Sequence, residues 1–372
     1  MVGRVSLWKV AAGLAAVLSL PVVVSAQTQT PPPATPADPV VQQPMPAGGG
    51  RVFNPDMSVI GNFLATGGKN PKNLSPAFRM TEVEIALQSV VDPYARADFF
   101  LSATPEGLDV EEGYITFTTL PAGLLMKVGK LRAQFGKVNT LHTHSLPYAD
   151  RPLVSQNLFG GEEGLSDAGV SVSKLFATRA LFLEAIGEVF AGQTGVFQSD
   201  QRSKLNYIGR LRGYRDITEG SNIDFGFSAA HGPTDIGPDA NKNIYGVDAT
   251  FRYRPLRRAI YKRFQARTEL MWSRQQFGST LVPTEKAFGW YGLGEYQFAR
   301  RWYFGARIDR SGHVLNGSQV DTGQSAFLTV WPSEFAQLRG QFRRTSYADG
   351  VKGNEVLFQL NFSIGAHGAH IF

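Results

Sequence analysis

From residue 51 onward the chain repeats one pattern: about ten residues of alternating apolar and polar side chains, then a polar break carrying Gly or Pro. A period of two belongs to strands whose faces meet different surroundings. Sixteen such segments are present, near 57–65, 78–89, 94–103, 109–119, 123–135, 166–174, 179–190, 204–216, 221–231, 242–253, 259–274, 285–297, 301–311, 322–331, 335–346 and 354–365. In the last of them Phe358, Leu360, Phe362 and Ile364 alternate with Gln359, Asn361 and Ser363. No apolar run of 18 or more follows residue 50, which excludes a helical membrane span there.

The breaks alternate in length. Short ones fall at 91–94, 120–123, 176–179, 218–221, 254–257, 298–301 and 332–333. Long ones fall at 67–76, 136–165, 191–203, 231–242, 276–285 and 311–320, with 105–109 and 348–353 as shorter members. A rim of short turns opposite a rim of long loops predicts an all-β, antiparallel transmembrane barrel of about sixteen strands, with short periplasmic turns and long extracellular loops. A soluble sandwich would show the same alternation; the rim asymmetry, the N-terminal address and the terminal aromatic Phe372 select the barrel. Phe372 resembles the assembly signal of bacterial outer-membrane proteins. Trp290, Trp302, Tyr303, Trp331 and Tyr347, near strand ends, suit interfacial aromatic girdles.

Composition supports short strands and tight turns, since Gly 40 of 372 and 12% aromatics exceed ordinary usage. Zero Cys excludes disulfides, thiolate zinc sites and Cys nucleophiles. The formal charge of +6, without any basic run, gives no sign of a nucleic-acid partner. Residues 1–26, with Arg4 and Lys9, an apolar stretch and Val24-Ser25-Ala26, read as a secretory signal peptide. Residues 27–50 are Pro- and then Gly-rich and read as a periplasmic tether. The barrel is therefore expected over 51–372, in the outer membrane of a Gram-negative bacterium after export through the periplasm, among outer-membrane lipids and lipopolysaccharide. Its partners would include the barrel-assembly machinery.

The break at 136–165 is too long for a structureless connection unless it is functional, and a sixteen-stranded lumen can admit it. It is expected to be a constriction loop carrying His142, His144, Asp150 and Arg151, the last two either lining the passage or anchoring the loop. His142 and His144 are the candidates for a metal, but no third ligand stands at diagnostic spacing, so neither metal nor cofactor is expected. His142, Ser145 and Asp150 supply the side-chain types of a hydrolytic triad. An outer-membrane hydrolase is thus the alternative function, although no Gly-x-Ser-x-Gly elbow is present, and no enzyme is expected.

Pore-facing charge decides what passes. The polar faces place Arg96, Lys130, Arg132, Arg210, Arg212, Arg252, Arg263, Arg267, Arg307, Arg339 and Arg343 inward. The inward acids are Glu82, Glu84, Asp98, Glu112, Glu184, Glu188, Asp224, Asp248, Glu269, Glu295 and Asp309. Lys130/Arg132, Arg210/Arg212 and Arg339/Arg343 form local positive stripes because their spacing puts each pair on one face.

The stretch VGKLRAQFG (128–136), SLPYADRPLV (145–154) and LSDAGVSVS (165–173) resembles the phosphate-selective porin family of Gram-negative outer membranes. The residues concerned are Gly129, Leu131, Arg132, Phe135, Gly136, Leu146, Pro147, Asp150, Arg151, Asp167, Gly169 and Val170. The resemblance implies a water-filled, commonly trimeric diffusion channel whose third long loop folds into the lumen. It also implies ion transport with selection of anions such as phosphate. Balanced inward charge departs from the one-sided arginine ladder of some members. The expected function is passive diffusion of small hydrophilic solutes. Lys130, Arg132, Arg151, Arg210, Arg212, Arg339 and Arg343 are the candidate anion contacts.

Overall fold

The structure is a computed structural model and describes residues 55–365 apart from 105, 106, 162, 180, 200, 279 and 280. The expected signal peptide, tether and terminal Phe372 lie outside the described residues. Sixteen strands follow in order: β1 Asp56–Lys69, β2 Phe78–Asp92, β3 Ala95–Thr104, β4 Gly107–Phe117, β5 Leu124–Arg132, β6 Ser166–Ala177, β7 Phe182–Phe190 and β8 Asn206–Thr218. They continue as β9 Ser221–Pro233, β10 Asn241–Tyr253, β11 Arg263–Gln276, β12 Glu285–Ala299, β13 Trp302–His313, β14 Asn316–Ser333, β15 Ala336–Ser346 and β16 Lys352–Gly365. Each pairs antiparallel with its sequence neighbour, and β1 pairs with β16 from Ser58↔Gly365 to Lys69↔Asn354. The sheet closes on itself, so none of its strands is left as an unpaired edge.

Alternation sets which side chains meet which medium. On β16 the odd-numbered Glu355, Leu357, Gln359, Asn361 and Ser363 are buried inside, while Phe358, Leu360, Phe362 and Ile364 stand exposed on the outer wall. The outer wall carries large exposed apolar groups on other strands too, among them Val128, Val170, Leu211, Phe227, Phe304, Leu328 and Phe342. Such a surface would be costly in water and suits hydrocarbon. No helix of the described residues is long and apolar enough to cross a membrane.

The rims differ from expectation at three places. The break at 311–320 is a hairpin turn at 314–315, because β13 and β14 run on beyond the region where their outer faces are apolar. Gly317 permits this: a Cβ there would collide with the Lys286 carbonyl oxygen of β12. Conversely, the short turn expected at 254–257 extends over 254–262, with Arg263 Nε donating to the Ala259 carbonyl at 2.7 Å. Finally, β5 ends at Arg132, so the long loop begins at 133 rather than 136.

That loop, 133–165, folds into the barrel and forms its core with the inner wall. Phe135, Val138, Leu146, Tyr148, Val154, Leu158, Phe159 and Leu165 pack with the inward Ile208, Ala230, Ile244, Met271, Tyr291, Leu293 and Phe327. Phe135 and Phe159 stack with centroids 4.4 Å apart. Phe135 lies over Gly246 of β10, where a Cβ would stand 2.9 Å from the ring, so only a glycine wall admits it. A short helix, α1 (Leu153–Leu158), runs along β11 to β14.

Candidate functional site

Beside this apolar packing, polar groups hold the loop to the inner wall, chiefly at three stations. At β8 to β11, Gly136 donates its N–H to Ser228 Oγ at 3.2 Å and accepts from Arg210 at its carbonyl. The N–H of Val138 reaches Glu269 Oε1 at 2.7 Å. Gly136 has a φ of 59°, a left-handed conformation that glycine adopts without strain.

At β13 to β15, Asp150 is clamped. Its Oδ2 accepts from Arg307 Nη2 at 2.8 Å and Arg343 Nη1 at 3.0 Å, and its Oδ1 accepts from Gln341. Burial would raise this carboxyl, but the two guanidinium charges prevail and hold it well below the usual carboxylate range. Arg307 also lies over the Tyr148 ring at 4.3 Å. Leu153 and Asn157 of α1 donate to Asp309 and Asp321.

At β2 and β4, the two loop histidines meet a group of glutamates. His142 Nδ1 stands 2.7 Å from Glu84 Oε2 and 3.2 Å from Glu111 Oε2, and its Nε2 stands 2.9 Å from Glu112 Oε2. His144 Nδ1 approaches the same Glu84 oxygen at 3.6 Å. Burial opposes a charged imidazole at 142, but hydrogen bonds and charge from Glu112 and Glu84 carry its pKa up to about 9. Arg132 seals the corner: its guanidinium pairs with Glu111 and donates to the Glu163 carbonyl at 2.8 Å, and its own N–H donates to Glu112 at 2.7 Å.

Of the candidate anion contacts, most are committed to this scaffold. Arg132, Arg151, Arg210 and Arg339 are buried; Arg210 pairs with Asp248 at 3.0 Å, Arg339 donates to Gln359, and Arg151 donates to the carbonyls of Val138 and Leu141. Arg343 is held between Asp150 and Glu355. Lys130 is a correction. It pairs across the sheet with Gly113 and Ala168, in the register of the exposed Val128 and Val170, and so belongs to the outer wall, reaching Asp109 at 3.4 Å. Lys127, Gly129 and Leu131, of the opposite parity, take the inward positions. Tyr303, placed among the girdle aromatics, likewise faces inward, paired with the buried Gln297 and Thr329.

Arg212 alone of the set combines an inward position with an open guanidinium, 38% exposed. Arg252 (30%) and the loop residue Lys137 (21%) join it around one carboxylate, Asp224, at 2.7, 3.9 and 4.0 Å respectively. Glu184 lies 3.7 Å from Arg212. Three cations thus gather on one shared acid. Lys137 was missed in the sequence because its loop position gives it no face to read. Burial lowers its pKa to about 8, with Asp224 opposing and the neighbouring arginines assisting.

Glu111 was missed for another reason. In a regular strand it would point opposite to Glu112, but the register slips between Phe100↔Glu112 and Leu101↔Val110, which makes Glu111 the extra residue of a bulge. Both carboxylates therefore reach the His142 corner. The cost of an acid facing lipid was the available signal.

The residues of the hydrolase alternative are not brought into a triad. Ser145 Oγ donates to the His142 carbonyl at 2.8 Å, both His142 ring nitrogens face glutamates, and Asp150 is held by Arg307 and Arg343.

No family model matches the chain. Among solved structures, similar folds include an anion-selective porin from Comamonas acidovorans, with a TM-score of 0.59 and 8% identity over 83% of this chain and 99% of that one. The outer membrane channel DcaP of Acinetobacter baumannii has a TM-score of 0.52 and 10% identity over 84% of this chain and 96% of that one. A trimer form of OmpT, an outer membrane protein of Vibrio cholerae, has 0.54 and 8% over 83% of this chain and 99% of that one. These identities speak for the fold. An uncharacterised protein of Aquifex aeolicus (strain VF5) is 31% identical over 341 residues, 81% of this chain and 71% of that protein. At that identity and coverage, this chain belongs to the family of the Aquifex aeolicus protein.

Proposed function

We propose that the protein is an outer-membrane porin, a passive diffusion channel for small hydrophilic solutes with a preference for anions. The observation that carries the reading is the group of Arg212, Arg252 and Lys137, which share Asp224 and keep their charged ends partly open inside the wall. A passing anion would exchange part of its hydration for these donors, and a guanidinium offers oxyanions two parallel N–H groups. Phosphate is the anion that the resemblance around 128–173 favours. The fold likeness to porins supports the channel and the outer-membrane location, and the trimer form among the similar folds supports a homotrimer. Loop 133–165 is the filter in this reading, with His142, His144, Asp150 and Arg151 holding it in place.

The test is single-channel conductance of the refolded protein in planar bilayers, with reversal potentials under a KCl gradient and a phosphate competition series. Anion preference that falls in Arg212→Ala and Arg252→Ala, and is unchanged in Lys130→Ala, is the expected result. Conductance without ion preference leaves a general porin and removes phosphate; stable insertion without conductance overturns the channel.

A further inference from the structure

The corner at β2 and β4 holds more ligating groups than loop anchoring needs. Glu84, Glu111 and His142 bring one donor atom each within 4.8 Å of one another, and Glu82, Glu84 and His144 do the same around the shared Glu84. Two features of the corner belong to a cation site rather than to a set of salt bridges. The first is the division of labour on His142. Its Nε2 is engaged by Glu112 at 2.9 Å, while its Nδ1 faces two carboxylate oxygens at 2.7 and 3.2 Å. A ring nitrogen carries at most one proton, so the two oxygens must share a single donor. Glu84 Oε2, on a side chain only 4% exposed, is approached by both loop histidines, His142 Nδ1 at 2.7 Å and His144 Nδ1 at 3.6 Å. A carboxylate that fixes one imidazole nitrogen so that the other faces the ligand is the usual outer-shell arrangement around a bound metal.

The second feature is the β4 bulge. It spends an unpaired residue to aim Glu111 inward beside Glu112, and bulges recur where a side chain must be re-aimed. The outcome is four carboxylates in a water-poor corner facing the guanidinium of Arg132, with Arg151 behind it. A divalent cation would take the place of the His142 proton and bring a second positive charge to the four carboxylates.

We propose that Glu84, Glu111 and His142 bind a divalent first-row transition cation of the Zn²⁺ type, with Glu112 as the positioning residue for His142. Imidazole with carboxylates suits such ions. Donors of a tetrahedral site lie about 3.4 Å apart; the 3.2 Å between His142 Nδ1 and Glu111 is near this, Glu84 at 2.7 Å would have to draw back to admit the ion, and Glu82 and His144 are further donors. The bound ion would tie the loop, through His142, to two wall strands. The proposal is independent of conductance, because an impermeable barrel could carry the same site.

The experiment is titration of Zn²⁺ into the full chain, refolded in detergent and stripped with a chelator, read by calorimetry and by competition with a chromophoric chelator. One equivalent bound by the parent protein is expected. The double variant His142→Ala/Glu111→Gln should lose it, Glu112→Gln should weaken it about 10- to 100-fold, and Ser145→Ala should leave it unchanged. Heat-modifiable migration checks that each barrel has folded. Should the double variant fail to fold, X-ray absorption of the Zn²⁺-loaded parent decides: imidazole scattering supports the site, and an all-oxygen shell overturns it. Absence of saturable binding, or equal binding in the folded double variant, also overturns it.

Discussion

Asp150 sits between the buried guanidinium of Arg307 and the partly buried one of Arg343, both on the wall, so its charge decides whether the loop stays docked at β13 and β15. Its folded pKa is depressed, so the stabilisation is fully present above the unfolded value of about 4 and is lost as pH falls below it toward the folded one. Pepsin cleavage within 133–165 should therefore rise as the pH is lowered from about 4 to 2. Asp150→Asn, which breaks a buried pair at a cost of about 3–5 kcal/mol, should be cleaved already at pH 4; identical profiles would show that the clamp does not hold the loop. Lys137 gives the opposite signature. Its pKa of about 8 means that its charge, and with it part of the anion preference, should fall as pH rises through 8. Lys137→Arg should keep the preference beyond pH 9, and reversal potentials measured from pH 7 to 10 check it.

At the scale of elements, the loop and the barrel wall are built by different means. Strand pairing is complete around the barrel without any residue of 133–165. The loop is held by apolar packing and by polar contacts to inward side chains. Replacing 133–165 by a short turn should therefore leave a folded barrel with a severalfold larger conductance, and an unchanged conductance would mean that the narrowest point lies elsewhere. The loop's existence was legible from its length, while the chemistry of Asp150 and Arg151 allowed either lining or anchoring. Which wall Asp150 reaches was not legible, because Arg307, Arg343 and Gln341 lie more than 150 residues away in sequence. Lys130 was given the wrong face of a continuously paired strand, whereas Glu111 was missed because a bulge re-aims it.

At the scale of the whole molecule, the outer wall is the surface that must meet hydrocarbon. Phe358→Arg on β16 points outward and should reduce folding stability in lipid vesicles by about 2–4 kcal/mol if it lies near the bilayer midplane. Gln359→Arg, one residue on, points inward beside Arg339 and would test crowding and like charge instead. Equal effects on denaturant midpoints in vesicles, with lipid-dependent folding absent for both, would argue against a membrane setting for this wall. Both described ends of the barrel, Asp56 and Gly365, lie on the rim that carries most of the short turns, as an even number of strands requires.

Alternation along the chain determined the number of strands, their order and the inward or outward position of nearly every residue, because a closed antiparallel barrel with neighbours paired in sequence leaves those properties to local pattern. Loop length determined that something enters the lumen. Tertiary structure alone decided which arginines are occupied and which stay open, since that depends on partners from strands remote in the chain. It also decided that Lys137, Arg212 and Arg252 share one acid. The corner of His142 and the glutamates had the same origin: a bulge of one residue, invisible in an alternating pattern, brought Glu111 to the inner wall, and the folded loop carried His142 across the lumen to meet it.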